Sequence, residues 1–350
     1  MIHVKEYKEP HNKFSSQSFL SPKKVLLPLS QHTGKPAKPI VKVGDLVQES
    51  QVIGLSQGYI SSNIHASISG KITSISSAAH PTLHRAQAIT IQNSGQTKNY
   101  PISNKVDSLS EEELLDLIVK SGVVGMGGAA FPTHVKLKPP KKIDTLIVNA
   151  CECEPYLTAD HRLMLEKTKE LFLGLKIIDK LIKPKKILFA VEDNKLDVVN
   201  AVNSLKTENH VDWPKCETKI LKTSYPQGGE KQLINSLTGQ KIPGGKLPLD
   251  AGCLVQNVST CYAIYEAVYL KKPLIERLVT FSGSALVESK NIWVKIGTTL
   301  EDLIDSGALQ FKTQPKKIIS GGPMMGIALS NLSTPILKSS GGFLFFSQEH

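Results

Sequence analysis

Hydrophobic and polar positions divide the chain into stretches of different periodicity. Between residues 24 and 95, short apolar runs alternate with Gly, Pro and Ser, as in KVLLPLS, KPIVKVGDLVQ and SNIHASISGKITSI. Runs of this length with this punctuation predict β-strands separated by tight turns. We therefore expect a small all-β barrel or sandwich in the first part of the chain.

The pattern changes to a helical period after residue 107. The segment SLSEEELLDLIVKSG combines a capping box from Ser110 to Glu113 with an apolar stripe, and Gly122 ends it. Alternating strand-like and helical runs follow it: DTLIVNA, a helix across 160–181, KKILFAVE, a helix across 195–206, TKILKT, a helix from Lys231, GCLVQN and a helix from Ser259. This alternation predicts an open, largely parallel α/β sheet, in which ligands bind at the carboxyl ends of the strands.

The last part of the chain returns to short β pieces. They surround one helix, TLEDLIDSGA, which favours a small β-grasp unit, and GGFLFFSQEH adds one further strand. The predicted organisation is an α/β protein with a β domain on either side. Its predicted segments are 1–106 (barrel-sandwich domain), 107–272 (α/β domain), 273–335 (β-grasp domain) and 336–350 (terminal strand and tail).

Charge and hydropathy narrow the function classes. The 350 residues carry 42 Lys+Arg against 31 Asp+Glu, a formal charge of +11. The lysines are scattered without interleaved aromatic residues, which argues against nucleic acid and favours a charged surface that docks partners. There is no apolar run of about 18 residues and no apolar segment at the N-terminus, so we expect no transmembrane segment and a cytoplasmic protein.

The cysteines and histidines predict no metal site. Five cysteines, most of them isolated, are typical of reduced thiols. Cys151 and Cys153 form a C-x-C pair without a second pair, and two small residues at a strand end are the simpler interpretation. His134 and His161 lack ligand spacing, so we assign them no role.

Glycine is concentrated in GVVGMGGAAFPTHVKL, residues 122–137. Glycine costs conformational entropy on folding, so this many glycines need a reason. The segment is either a loop of tight turns or a cradle whose N–H groups approach a phosphate or a flat ring. Three other polar stretches also lie at predicted strand ends or helix starts. They are NACECEP (149–155), YPQGGEKQLINSLTG (225–239) and QNVST (256–260).

In this order, the four stretches resemble the flavin- and NADH-binding subunit of respiratory complex I, where they surround FMN. The front of the chain, LPLSQHTGKPAKPIVKVGDLV followed by IHASISGKI, resembles the C subunit of the Rnf ferredoxin:NAD oxidoreductase complex. The same region resembles the barrel-sandwich hybrid of lipoyl and biotinyl carriers, although Gly58 and Tyr59 stand where carriers have the attachment lysine. The third region resembles the soluble ligand-binding β-grasp domain of the Rnf family.

The resemblance implies FMN and NAD(H) as cofactors and a Rossmann-like flavin domain. It implies no catalytic side chain, because hydride passes directly between the stacked rings. Each position also has a plain structural alternative, such as a tight turn, a helix N-cap or a core aromatic. The implied cofactor-binding residues are Gly125, Gly127, Gly128, Phe131, Lys136, Asn149, Glu152, Glu154, Glu230, Asn257 and Thr260.

This chain departs from the complex I pattern at several positions. Cys151 and Cys153 stand where that pattern has aspartate and serine, Gly229 replaces a glutamate, and Gln256 replaces an asparagine. Pro139 stands where the second aromatic of the adenine clamp is expected. The Rnf family also carries two cysteine runs for 4Fe-4S clusters, which this sequence lacks. Either the sequence stops before them or another subunit holds the clusters.

The resemblance therefore implies an NADH-oxidising or NAD-reducing oxidoreductase. It would be the flavoprotein module of an Rnf-type electron transport complex, a translocase, peripheral on the inner face of the cell membrane. Its partners would be the other subunits and ferredoxin-like electron carriers. Two alternatives remain open, a cobalamin reductase of bacterial microcompartments and a non-enzymatic docking scaffold.

Overall fold

A computed structural model describes residues 1–207 and 212–348. The first part contains two small antiparallel sheets, ordered β2-β8-β7-β4 and β3-β5-β6. Alternate residues of β2, such as Val25 and Leu27, point into the core, which is the burial pattern of a strand with one covered face. The all-β prediction is confirmed. The strands of this part are β1 (Gln17–Phe19), β2 (Lys24–Pro28), β3 (Lys38–Pro39), β4 (Leu46–Val47), β5 (Val52–Leu55), β6 (Ile64–His65), β7 (Gly70–His80) and β8 (His84–Asn93).

The middle part is a parallel sheet covered by helices. Its strand order is β11-β10-β9-β12, and all three pairings are parallel, as the alternating pattern predicts. Helix α1 begins after Ser110 with the predicted capping box. The elements are α1 (Glu111–Lys120), α2 (Thr133–Leu137), β9 (Thr145–Ala150), α3 (Ala159–Glu166), α4 (Thr168–Ile182), β10 (Lys186–Glu192), α5 (Leu196–Lys206), β11 (Cys216–Leu221), α6 (Glu230–Thr238), β12 (Cys253–Asn257) and α7 (Val258–Tyr269).

The single helix predicted across 160–181 is wrong, because the chain forms α3 and α4 with a break at Lys167. Lys167 has φ −133° and ψ 33°, outside the helical region. Thr168 donates its hydroxyl to the carbonyl oxygen of Met164 at 2.5 Å. A threonine hydroxyl bonded four residues back bends a helix, and apolar periodicity does not register it.

The last part is a mixed sheet with strand order β1-β14-β13-β17-β15-β16. Strand β1 lies in the predicted first segment and β17 in the predicted terminal segment, and both belong to this sheet. Strand β17 lies between β13 and β15. Glu349 and His350, the end of the predicted tail, lie outside the described residues. The elements are β13 (Glu276–Ser282), β14 (Lys290–Lys295), α8 (Leu300–Asp305), β15 (Lys317–Ser320), β16 (Ile327–Leu329) and β17 (Gly342–Phe346).

A buried cluster of charged side chains joins the three parts, and we call it the junction network. Lys295 of β14 pairs with Glu49 of the first part and with Glu276 of β13. Lys272 pairs with Glu276 and with Glu266 of α7. The network therefore connects the small barrel, the parallel sheet and the C-terminal sheet by direct ion pairs.

Helix length and polarity bear on membrane insertion. Across residues 1–207 and 212–348, no helix is both long and apolar enough to cross a bilayer.

Candidate functional site

The four polar stretches meet at the carboxyl edge of the parallel sheet. Strands β10 and β12 lie on opposite sides of β9, so the strand order reverses at β9. Asn149 of β9 and Asn257 of β12 are register partners at this point. A reversal of strand order opens a crevice at the carboxyl ends, where α/β sheets bind ligands. The N-terminus of α7 follows Asn257 directly and faces the same edge.

The glycine loop is anchored at both sides and open in the middle. Gly125 donates its N–H to the carbonyl of Phe131 at 2.8 Å. Met126 donates its N–H to the hydroxyl of Thr260 at 2.9 Å. Between Met126 and Phe131, the glycines Gly127 and Gly128 are exposed, and their N–H groups have no partner within the described ranges.

Gly128 explains why this loop needs glycine. Its φ is +115°, a conformation that L side chains rarely adopt, and a Cβ built there has no heavy atom within 4 Å. A Cβ on Gly127 would lie 3.4 Å from the Cβ of Asn257, which is ordinary contact. The fold leaves open space in front of Gly128, as a cradle for a ligand requires, and Gly127 lies against the N-cap residue of α7.

Lys136 and Glu230, two predicted site residues from different stretches, form an ion pair. The Lys136 ammonium lies 2.9 Å from the Glu230 carboxylate and 2.9 Å from the carbonyl oxygen of Val255 in β12. Both side chains are about one-third exposed, so the pair lies at the rim of the cleft. Helix α6 begins at Glu230, so the positive end of the helix dipole also stabilises the Glu230 carboxylate.

Asn149 ties two of the stretches together. Its side-chain amide donates to the carbonyl oxygen of Gly228 at 2.9 Å, and its oxygen accepts the N–H of Cys151 at 3.1 Å. Gly228 also donates its N–H to the sulfur of Cys153 at 3.4 Å. A Cβ on Gly228 would lie 2.6 Å from the carbonyl oxygen of Cys151, so only glycine allows this close approach.

The Glu152 carboxylate caps helix α3. Its two oxygens accept the N–H groups of Asp160 at 2.9 Å and His161 at 3.2 Å. Burial raises the pKa of Glu152, and Lys8 opposes this effect. The structure thus gives this residue a capping role at the start of α3, beside the cleft.

Asn257 and Thr260 lie at the start of α7. Asn257 caps the helix by accepting the N–H of Ser259 at 2.8 Å, and its amide donates to Asp160 at 2.7 Å. Ser259 also donates its hydroxyl to Asp160. Asp160 is absent from the predicted site residues, because its only local signal is an acidic residue in the first turn of a helix.

Phe131 and Glu154 make their hydrogen bonds away from the start of α7. Phe131 is half-buried and closes the far end of the glycine loop through its carbonyl. Glu154 accepts the N–H groups of Met324 at 3.0 Å and Met325 at 2.9 Å, from the turn that joins β15 to β16. The C-terminal sheet therefore reaches the 149–155 stretch directly.

The small barrel also contacts the glycine loop, which no local sequence pattern predicts. Thr33 donates its hydroxyl to the carbonyl of Ala129 at 2.6 Å and its N–H to that of Ala130 at 3.1 Å. The carbonyl of Tyr59 lies 3.0 Å from the ring nitrogen Nε2 of His134 in α2. The hairpin tip that resembles a carrier's attachment point thus rests against the helix behind the glycine loop.

The N-terminal arm, residues 1–16, crosses the 151–157 turn. Lys8 is buried, and its ammonium donates to the carbonyl of Glu152 and, at 2.8 Å, to that of Leu157. Burial lowers the pKa of Lys8. A buried ammonium thus lies directly beneath the turn that carries Glu152 and Glu154, and no local motif marks it.

The thiols show no arrangement for a metal. All five cysteines are free, and across the described ranges no group of three or more His, Cys, Asp and Glu side chains is placed to hold an ion. Burial raises the pKa of Cys151 and Cys153. His161, to which no role was assigned, pairs with Asp197 at 2.9 Å.

Two family models match the chain. The Nuo51 FMN-binding domain matches residues 118–266, which contain the four polar stretches. The RnfC barrel sandwich hybrid domain matches residues 2–96. These matches confirm the barrel-sandwich hybrid and the flavin domain as the first two folds of the chain.

Over most of its length, the chain is similar to curated proteins that are C subunits of ion-translocating complexes. The C subunit of the proton-translocating ferredoxin:NAD(+) oxidoreductase complex of Clostridium ljungdahlii is 48% identical over 328 residues, covering 92% of this chain and 70% of that protein. That of the Na(+)-translocating complex of Acetobacterium woodii is 38% identical, covering 94% and 74%. That of the ion-translocating oxidoreductase complex of Haemophilus influenzae is 38% identical, covering 89% of this chain and 48% of that protein.

A solved structure has a related fold. An NAD+-reducing nickel–iron hydrogenase in the H2-reduced state aligns with a TM-score of 0.59 at 19% identity, over 70% of this chain and 49% of that chain. Identity at this level shows a shared fold alone. The curated relatives and the two family models carry the assignment, and the chain belongs to the family of C subunits of Rnf-type ion-translocating ferredoxin:NAD(+) oxidoreductase complexes.

Proposed function

We propose that this chain is the flavoprotein module of an Rnf-type complex and that it transfers hydride between NAD(H) and a non-covalent FMN. The open glycine loop at the strand-order reversal is the observation that carries the proposal. Gly127 and Gly128 lie there next to the N-terminus of α7, and their N–H groups have no hydrogen-bond partner in the part of the chain that the structure describes. Backbone N–H groups and a helix N-terminus together favour a phosphate or a flavin ring.

The residues around the cleft fit FMN. Thr260 and Asn257 hold the glycine loop and the start of α7 in place. Lys136 lies at the rim, where a phosphate would share its ammonium with Glu230. Asn149 keeps the polar turn after β9 against the 225–230 turn. When bound, FMN supplies the hydride acceptor and releases electrons singly.

The protein contributes position and electrostatics. Asp160 is held by Asn257 and Ser259, so the polar wall of the cleft is fixed before a ligand arrives. Lys8 fixes the 151–157 turn from below. We assign no general acid or base, since a hydride passed directly between NAD(H) and FMN would need no proton relay from this chain.

We extend the proposal to assembly. Other Rnf subunits and ferredoxin-like carriers would receive or supply the electrons, with the chain peripheral on the cytoplasmic face of the membrane. 4Fe-4S clusters would be held outside residues 1–350, because the five cysteines form no cluster-binding run. We also propose domain boundaries near residues 106 and 272, a β-grasp fold around α8, and the predicted cofactor-binding residues as the contacts of FMN and NAD(H).

Substituting Gly127 with valine tests the cradle. The Cβ meets the Cβ of Asn257 at an ordinary 3.4 Å, so the fold tolerates it, while the branched side chain presses on Asn257, the N-cap of α7 beside the cleft. We expect the dissociation constant for FMN, measured by fluorescence quenching, to rise by about 100-fold, or roughly 2.8 kcal/mol. Gly244→Val is the control, because a Cβ there has no heavy atom within 4 Å. Equal FMN affinity in both variants contradicts the cradle, and a parent protein without flavin favours the scaffold alternative.

Nucleotide choice is a second test. Glu154 and Glu230 near the dinucleotide disfavour the extra 2′-phosphate of NADPH. Glu230→Gln also leaves Lys136 without its carboxylate partner, so its charge becomes available to that phosphate. We expect the ratio of kcat/KM for NADH over NADPH to fall by about two- to fivefold, the range for a partly exposed ion pair. Equal rates with both nucleotides in the parent protein would refute this interpretation.

A further inference from the structure

A turn of the C-terminal sheet contacts the candidate site. Residues 321–326, GGPMMG, join β15 to β16, and we call them the methionine turn. Gly326 donates its N–H to the carbonyl of Gly322 at 2.9 Å, which closes the turn. Gly321 has φ +99° and donates its N–H to the carbonyl of Gly342 in β17 at 2.8 Å. The turn is therefore a fixed part of the sheet.

The turn binds one carboxylate with two main-chain donors. Each oxygen of Glu154 accepts one N–H group, from Met325 at 2.9 Å and from Met324 at 3.0 Å. Charge-assisted bonds to both oxygens fix the plane of the carboxylate. Burial raises the pKa of Glu154, and these two bonds oppose that rise.

Gly322 makes this contact possible. A Cβ there would lie 2.5 Å from the carboxyl carbon of Glu154 and 2.7 Å from its Cβ. An alanine at this position would have to displace the carboxylate or the turn. The methionine side chains take no part in the contact, and Met325 is 77% exposed. The arrangement thus depends on the backbone of the turn.

Glu154 lies next to the 225–239 stretch as well as to the methionine turn. Burial and then the charge of Glu154 raise the pKa of Tyr225, which begins the 225–239 stretch. Cys153, the preceding residue, accepts the N–H of Gly228 in that stretch. The carboxylate held by the C-terminal sheet is thus next to the segment that leads into Glu230 and α6.

We propose that the methionine turn is a positioning element of the dinucleotide site. By fixing the Glu154 carboxylate, it makes the C-terminal sheet a determinant of NADH affinity and of discrimination against NADPH. The inference rests on the proposed function, because it takes Glu154 to face the dinucleotide. It adds a segment more than 160 residues away in sequence, which the flavin-domain match over residues 118–266 does not include.

The test compares Gly322→Ala with Gly341→Ala, in the same sheet, where a Cβ has no heavy atom within 4 Å. In the FMN-loaded full chain, Gly322→Ala is expected to raise the dissociation constant for NAD+, measured by calorimetry, and the KM for NADH by about tenfold. The kcat and the FMN dissociation constant should stay within about twofold of the parent. Gly341→Ala should match the parent in all four quantities.

A further variant keeps the test decisive. Glu154→Gln weakens the same contact if Gly322→Ala does not fold; it should raise the NAD+ dissociation constant and speed hydrogen exchange at the Met324 and Met325 amides. A parent that binds FMN and NADH while Gly322→Ala or Glu154→Gln binds NAD+ unchanged overturns this inference alone. A parent that binds neither ligand overturns the proposed function and the inference with it.

Discussion

Replacing Lys295 with methionine is expected to lower the free energy of unfolding by about 3–5 kcal/mol, because two buried carboxylates then lose their shared cation. The Lys295 ammonium lies 2.9 Å from Glu49 and 3.0 Å from Glu276, and its side chain is 7% exposed. Burial alone would raise the pKa of Glu276, but Lys272 and Lys295 hold it below its usual value. Urea unfolding followed by circular dichroism measures the loss.

A surface lysine provides the control for this prediction. Lys120 pairs with Asp116 one helical turn away, and its side chain is 72% exposed. Lys120→Met should change the free energy of unfolding by less than about 1 kcal/mol. Adding Glu49→Gln to Lys295→Met should recover part of the loss, since it removes one uncompensated charge. Equal losses for Lys120→Met and Lys295→Met would contradict the role of the junction network.

Local sequence predicts the capped helix and the parallel strands of the site, but neither α2, which carries Lys136, nor the break between α3 and α4. The capping box at Ser110 and Glu113 is present as predicted, because both halves of that motif lie within one turn. The apolar runs of β9 and β10 are buried on both faces, as parallel strands between helices are. Strand ends of one parallel sheet meet at one edge, so the convergence of the three stretches after β9, β11 and β12 follows from the strand pattern. The glycine loop follows α1, and the bond from Met126 to Thr260 brings it to the same edge.

The partners of the predicted residues could not be read from local patterns. The Lys8 ammonium meets the Glu152 carbonyl across 144 residues of sequence, and the Met324 N–H meets the Glu154 carboxylate across 170. No hydrophobic periodicity, capping motif or turn sequence predicts either contact. The resemblance supplied Glu152 and Glu154 as acidic positions, and tertiary packing decided that one caps α3 while the other meets the C-terminal sheet.

The second large effect is expected from Lys338, a buried lysine that contacts two carbonyl oxygens. Its side chain is 1% exposed, and its ammonium donates to the carbonyl oxygens of Asn63 and Gly122, each at 2.7 Å. Burial lowers its pKa to about 7. Gly122 leads into the glycine loop and Asn63 belongs to the small barrel, so one buried ammonium links three parts of the chain behind the cradle.

The pKa of Lys338 makes stability depend on pH. Its pKa is lower in the folded protein than the usual 10.5, so the unfolded chain binds more protons between pH 7 and 10.5. The free energy of unfolding therefore gains a contribution from Lys338 as pH rises through this window, and loses it as pH falls toward 7. Two neighbours titrate elsewhere, since burial and then Lys338 lower the pKa of His65 to about 3 and of His32 to about 4.

Comparing the parent with Lys338→Met isolates this effect, because the cysteines and tyrosines are common to both proteins. From pH 7 to pH 8.5, the free energy of unfolding of the parent should rise relative to that of the variant by roughly 1.5 kcal/mol, since one proton is worth about 1.4 kcal/mol per pH unit. Urea unfolding at half-unit intervals measures the difference. Parallel curves for the two proteins would show that Lys338 keeps an ordinary pKa, and that its two carbonyl partners hold it charged behind the glycine loop.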